Sequence, residues 1–227
     1  MTSVLDREMY TEAEAARLLR IRQSTLHYWL EGAQGPKKDY KPILRDKPRR
    51  SRTVTWAEFV EAGFLREYRR THNVPMAELR KFIELLREQF GVPYPLADRR
   101  PFVSGKSLVF DAQTAAGLGV DYWMVTVAGD QLLLTTPADS FSRRVDWTDN
   151  IAVGYSPDAN SDSPVRVQPD IRFGKPSIKG VSTEVIGEQH DAGEDADSIA
   201  EMYALDASDV AWALAYEFSV RATTQAA

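Results

Sequence analysis

Residues Thr11–Gly32, TEAEAARLLRIRQSTLHYWLEG, decide how the rest of the chain is read. Thr11 and Glu14 stand at capping-box spacing, in which the Thr hydroxyl takes the Glu backbone N–H and the Glu side chain reaches back. Ala15, Leu18 and Leu19 then form one apolar stripe, broken at Arg20 to Arg22. A second helix is predicted from about Gln23, burying Leu26, Trp29 and Leu30 and stopping at Gly32. Two short helices joined by a tight turn read as a helix-turn-helix, whose second helix can enter a major groove. Its solvent-side residues Gln23, Ser24, Thr25, His27 and Tyr28 carry groups that touch phosphates or base edges. An ordinary helical hairpin has the same local pattern, so the flanking sequence must decide.

The flanking sequence is strongly charged, and its charge is segregated. From Lys37 to Arg52 there are eight cations (Lys37, Lys38, Lys41, Arg45, Lys47, Arg49, Arg50, Arg52) against Asp39 and Asp46. Between Gly180 and Val220 there is no Lys or Arg, while Glu184, Glu188, Asp191, Glu194 and six further carboxylates are present. The net charge of -5 over 227 residues therefore hides two opposite ends, which implies different partners for each. The chain has no Cys, which excludes a disulfide framework and thiolate metal sites. No early apolar run resembles a signal peptide and none approaches bilayer length, so a soluble cytoplasmic protein is expected.

After the helix-turn-helix, Gly35-Pro36 breaks the chain. Ile43-Leu44 and Val54 are expected as short strands of a β-wing with a basic tip near Pro48, able to neutralise phosphates. The first nine residues read as a short extension. Thr55 is a candidate N-cap for a helix to about Arg70 with Phe59, Val60, Phe64 and Leu65 inside. Pro75 suits the start of another helix, buried through Leu79, Phe82, Ile83, Leu85 and Leu86 and ended by Gly91.

The order of two helices, basic wing and two further helices over residues 10–90 resembles the MerR-type winged-helix family. The most specific part is Thr25-Leu26-His27-Tyr28-Trp29-Leu30-Glu31-Gly32, similar to that family's recognition-helix ending, with His27 standing where many members carry Arg. This resemblance implies contacts to operator DNA from Gln23, Ser24, Thr25, His27 and Tyr28 and from the wing cations.

Beyond Phe102 the reading changes to strands at Ser107–Phe110, Tyr122–Val127 and Gln131–Thr135, with another at Phe141–Trp147. Gly129-Asp130 marks a hairpin turn. Residues 159–164, ANSDSP, read as a loop. This middle region is taken as a connecting or dimerising sheet. The fold class expected is mainly α with a β-rich middle (α+β), in three regions: 1–95, 96–165 and 166–227.

The last region carries Pro169-Asp170-Ile171-Arg172-Phe173-Gly174-Lys175-Pro176-Ser177-Ile178-Lys179-Gly180 and resembles domain-of-unknown-function family 433. Its own periodicity predicts three short helices, near Glu184–Asp191, Asp195–Tyr203 and from Asp206 onward. A bundle this acidic is repelled by DNA and suits a basic protein partner. The resemblance implies an antitoxin of a type II toxin–antitoxin pair (VapB-like), facing a ribonuclease of the VapC (PIN-domain) type. The toxin-contacting residues it implies are Arg172, Phe173, Lys175, Ile178, Lys179, Glu184, Glu188 and Asp191.

Together the two ends point to a DNA-binding antitoxin that represses its own operon, as a homodimer on paired half-sites. A MerR-like regulator answering a small ligand is the alternative. An enzyme is not expected, and neither cofactor nor metal. His27, His72 and His190 are the only histidines and none has ligand spacing, while the last segment's carboxylates lack calcium-loop spacing.

Overall fold

Thr11 caps a helix through both halves of its box. Its hydroxyl accepts the Glu14 N–H at 3.2 Å, and the Glu14 carboxylate accepts the Thr11 N–H at 2.8 Å. The computed structural model describes residues 3–33, 40–72, 75–158, 160 and 162–225. Helix α1 (Glu12–Leu18) and helix α2 (Gln23–Glu31) follow as expected, joined by a turn in which Arg20 takes a left-handed φ of 51°. Ala15, Leu19, Leu26, Trp29 and Leu30 are buried between them and their neighbours.

The strands around this helical pair differ from expectation. The first residues are not an extension, because β1 (Glu8–Thr11) pairs antiparallel with β2 (Thr53–Thr55), and Tyr10 packs 4.9 Å from Phe59. Ile43 and Leu44 form no wing strand. Their N–H groups both donate to the Trp29 carbonyl, at 2.9 and 3.1 Å, and their side chains are fully buried. Residues that close a helix C-terminus in this way have no donors left for a ladder. Gly32 makes the arrangement possible: at φ 73° a Cβ there would meet the Tyr40 carbonyl oxygen at 2.0 Å. The expected break at Gly35-Pro36 lies outside the described residues, as do Ala159 and Ser161 of the expected loop.

Helix α3 (Trp56–His72) is the spine of this part of the chain. Every residue from Val54 to Leu65 is buried, so the helix has no solvent face over its first half. Thr55 caps it as expected, with Glu58 returning the bond to the Thr55 N–H at 2.9 Å. Phe64 stacks within 4.5 Å of Tyr68 and 5.1 Å of Phe141, and the Trp56 indole donates to the Ala152 carbonyl at 2.6 Å. Helix α4 (Met76–Phe90) ends at Gly91 in the left-handed conformation.

The middle region is more helical than expected. A short helix, α5 (Arg100–Val103), leads into α6 (Lys106–Ala116), which replaces the strand expected at Ser107–Phe110. Val109, Ala112, Gln113 and Ala116 are its buried residues, spaced i, i+3, i+4, i+7. The four-residue SLVF run is too short to show that period, and its β-prone residues misdirect the reading. The hairpin of β3 (Val125–Ala128) and β4 (Gln131–Leu134) turns at Gly129-Asp130 as expected. Phe141 belongs to α7 (Thr136–Arg143), followed by β5 (Val145–Thr148) and β6 (Ile151–Tyr155).

The chain divides into two compact units, residues 1–152 and 153–227. Most of the expected middle region thus belongs with the N-terminal unit rather than standing alone. The second unit holds the hairpin β7 (Ser177–Ile178) and β8 (Val181–Ser182), then α8 (Thr183–Asp191), α9 (Ala196–Tyr203) and α10 (Ala207–Gln225). Its three helices lie where the periodicity puts them, around Val165, Ile178, Ile186, Ile199, Val210 and Ala213. The fold is mixed α+β, chiefly helical, with sheets of two strands each. Among the described residues no helix is long and apolar enough to cross a membrane.

One buried acid predicts a pH dependence. Glu61 on α3 is fully buried; its Oε1 accepts the Leu96 N–H at 3.0 Å and its Oε2 accepts no hydrogen bond, with Arg87 3.8 Å away. Burial pushes its pKa up from 4.5 to about 7, against the pull of Arg87 and of the Leu96 N–H. Between those values the unfolded chain releases the proton and the folded one keeps it. Stability is therefore expected to fall as pH rises from 4.5 to about 7 and to level off above, by on the order of 3 kcal/mol at most. Glu61→Gln keeps the Leu96 bond and should remove this slope in urea titrations run across the window. An unchanged slope would show that another group carries it.

Candidate functional site

Two surfaces carry the residues singled out by the sequence, one on each unit. On the first, α2 exposes Gln23, Ser24 and His27 and half-buries Thr25 and Tyr28. His27 is held by α1: its Nδ1 lies 3.1 Å from both carboxylate oxygens of the buried Glu12. Tyr28 is held by α4, since its hydroxyl accepts from Arg80 at 2.6 Å. The Arg80 guanidinium sits 5.3 Å from the centres of both the Tyr28 and Tyr40 rings and donates to the Lys41 carbonyl at 2.7 Å. Both side chains are thus positioned before any ligand arrives.

The basic segment beside α2 divides sharply. Lys41, Lys47, Arg50 and Arg52 are exposed, and Lys37 and Lys38 lie outside the described residues. Arg45 is buried, and the expectation that it reaches phosphate is corrected. It donates through Nε to Glu58 at 2.8 Å and through Nη2 to the Thr53 carbonyl at 2.7 Å, and it pairs with Glu31 as well. Arg49, though half-exposed, is also paired to Glu58. The physical reason is that Glu31 ends α2 and Glu58 opens α3, and two carboxylates at or near full burial require cations against them. Glu31 further accepts the Arg50 N–H at 3.0 Å, so the segment carrying the exposed cations is tied to the end of α2. Arg17 and Arg22 are exposed beside the turn between α1 and α2. Their sequence signal was only the charge in the break between two apolar stripes.

On the second unit, the turn Arg172–Phe173–Gly174 takes three successive left-handed residues, at φ 50°, 54° and 74°. It holds the Phe173 side chain 91% exposed. Arg172 anchors the turn by donating to the Gly180 carbonyl at 2.7 Å. Lys175 pairs with Glu184 at 2.8 Å, and Lys179 with Asp206 and Asp209 at 2.7 Å each, contacts that hold its pKa above the usual lysine value. Glu188 and Asp191 are exposed on α8, Asp191 bonded to Arg221 and held below the usual carboxylate range by it. Ile178 is a correction: at 1% exposure it belongs to the core and meets no partner. Arg221, one residue past the cation-free stretch, is what the sequence reading missed.

The charge division sharpens when it is counted by unit. Residues 1–152 carry 23 Lys and Arg against 20 Asp and Glu, net +3. Residues 153–227 carry 5 against 13, net -8.

The uncharacterized protein Rv2308 of Mycobacterium tuberculosis (strain ATCC 25618 / H37Rv) is 32% identical over 223 residues, which cover 95% of this chain and 92% of that protein. The chain belongs to the Rv2308 family. Within this Rv2308-family chain, the family described as "Protein of unknown function (DUF433)" matches residues 165–216, a stretch that starts ahead of the exposed turn, includes β7, β8, α8 and α9, and ends inside α10. The crystal structure of Rv2018 from Mycobacterium tuberculosis has the same fold as this member of the Rv2308 family, with a TM-score of 0.74 over 92% of this chain and 98% of that one, at 21% identity.

Proposed function

We propose that this protein is an antitoxin of a type II pair that represses its own operon, binding operator DNA through the first unit and its toxin through the second. The observation that carries the reading is the partition of charge between two compact units. A net-positive unit displays a preorganised helix face beside exposed cations, and DNA association is driven by cations that displace counterions from phosphate. In this reading residues 10–90 are a MerR-like helix-turn-helix with an unusual wing, and α2 enters the major groove through Gln23, Ser24, Thr25 and His27. Arg50 and Arg52, with Arg22, meet phosphates. The -8 unit is repelled by DNA and instead presents Phe173 to a basic toxin, a PIN-domain ribonuclease in the resemblance, in the cytoplasm.

Binding to DNA from upstream of its own reading frame tests the first half. Wild type is expected to bind with a steep salt dependence, and Arg22→Ala, Arg50→Ala and Arg52→Ala should each reduce that slope by about 1. Unchanged slopes in all three variants, or no binding by wild type, would reject the assignment of this face.

A small-ligand regulator is supported by one observation, a cavity of about 400 Å³ whose lining includes the cations Lys47, Arg49 and Arg87, the carboxylates Asp46 and Glu58, and Tyr94. It requires operator affinity to change when a small metabolite is added, with no protein partner present.

A further inference from the structure

Large apolar side chains that stay exposed are concentrated in one part of the first unit. Val103, Leu108, Val120, Val127 and Leu133 all fall between residues 103 and 133, with Val120 71% and Val127 51% exposed. The hairpin β3–β4 lies in this stretch, and it forms a sheet of two strands only. An isolated two-stranded ribbon is marginal in water, and an open edge is normally guarded by charge, proline or a bulge. Here the strands read VTVA and QLLL, with no charge and no proline, and their four-pair register runs without a bulge.

The two edges are not equivalent. Across the two-residue turn, Ala128 and Gln131 form the closing pair, so Val127↔Leu132 and Val125↔Leu134 are pairs whose backbone groups point outward. On β3 the outward groups of Val125 are occupied by the buried Gln113 of α6, which donates to the Val125 carbonyl at 2.5 Å and accepts its N–H at 3.1 Å. No equivalent cover lies on β4 among the described residues. Its outer edge offers the N–H and C=O groups of Leu132 and Leu134.

We propose that β4 is the edge through which two copies of this chain dimerise, pairing antiparallel about a twofold axis into a four-stranded sheet ordered β3-β4-β4-β3. The occupant is a second copy because the edge is uncharged: nucleic acid requires cations there, and a charged partner gains nothing. An isologous antiparallel pair satisfies the same groups in both copies and brings Leu133 of each under cover. The inference rests on the dimeric-repressor reading and supplies the interface that reading lacks.

Sedimentation equilibrium of the full chain tests it. Wild type should be a dimer, and Leu133→Lys, at an exposed position that faces its own copy across the axis, should weaken dimerisation on the order of 100-fold by like-charge repulsion. Met202→Lys with Phe218→Lys, on the second unit, should leave it a dimer. As a measurement independent of any variant, the Leu132 and Leu134 amides should exchange more slowly as wild-type concentration rises through the dimer transition. A monomeric wild type overturns both the inference and the dimeric reading. A hairpin variant that stays dimeric, a dimer dissolved by the second-unit variant, or concentration-independent exchange overturns the inference alone. A wild-type dimer broken by the hairpin variant that never binds DNA upholds the interface and rejects the repressor.

Discussion

Glu58→Ala is expected to cost about 3–5 kcal/mol of folding stability, because it strands a buried guanidinium. Glu58 has no solvent exposure, and its two oxygens accept from Arg45 at 2.8 and 3.2 Å and from the Thr55 N–H at 2.9 Å, besides pairing with Arg49. Without it, Arg45 keeps only Glu31 and the Thr53 carbonyl. The N-terminal cap of α3 goes with it, and α3 is the helix against which α2 and α7 pack. The pair itself is a weaker source of stability than its loss suggests. Replacing both ends by apolar residues of similar size, Arg45→Met with Glu58→Leu, should recover only part of the deficit, since the desolvation of two charges no longer opposes folding but Glu31 loses its cation and α3 stays uncapped. Urea unfolding of the single and double variants measures this. A Glu58→Ala variant within 1 kcal/mol of wild type would mean that water reaches Arg45 and that the pair is not buried in solution.

In the proposed antitoxin reading, Phe173→Ala is expected to weaken binding of the toxin by about 2–4 kcal/mol, roughly 30- to 1,000-fold, as an aromatic anchor at the centre of an interface does. A side chain that is 91% exposed on a left-handed backbone contributes little to its own fold, and that conformation costs an L-residue about 1–2 kcal/mol. The informative variant is therefore Phe173→Gly. It should leave the folding stability read from thermal unfolding unchanged or higher, by up to about 1 kcal/mol, because glycine adopts φ 54° freely. Its affinity should nevertheless fall with that of the alanine variant. Thermal unfolding gives the first number, and calorimetric titration against the co-expressed product of the neighbouring reading frame gives the second. If Phe173→Gly lowers stability and spares binding, Phe173 serves the fold, and the second unit must engage its partner elsewhere.

Local signals were legible from residue order because their causes are local. The Thr11–Glu14 and Thr55–Glu58 boxes, the stops at Gly32 and Gly91, and the Gly129-Asp130 turn each depend on atoms within a few residues. The three C-terminal helices were legible in the same way. So was the segregation of charge, which requires only counting. Which of the segregated cations face solvent was not legible: Arg45 and Arg49 are folded back on Glu58, while Arg50, Arg52 and the face of α2 remain outside.

The tertiary structure alone decided matters in which distant residues compete for the same space or the same partner. Which cations of the basic segment face solvent depends on Glu31 and Glu58, one at the end of α2 and one in the first turn of α3, 27 positions apart by their numbering. Val54 finds its strand partner at Tyr10 rather than at Ile43, because Ile43 and Leu44 are committed to the end of α2. Ile178 sits in the core and Phe173 outside it, although both lie in one twelve-residue motif, and only the packing of the helices beneath the turn separates them. Spacing along the chain reports the period of an element and its caps. It does not report which of several eligible side chains the rest of the fold leaves uncovered.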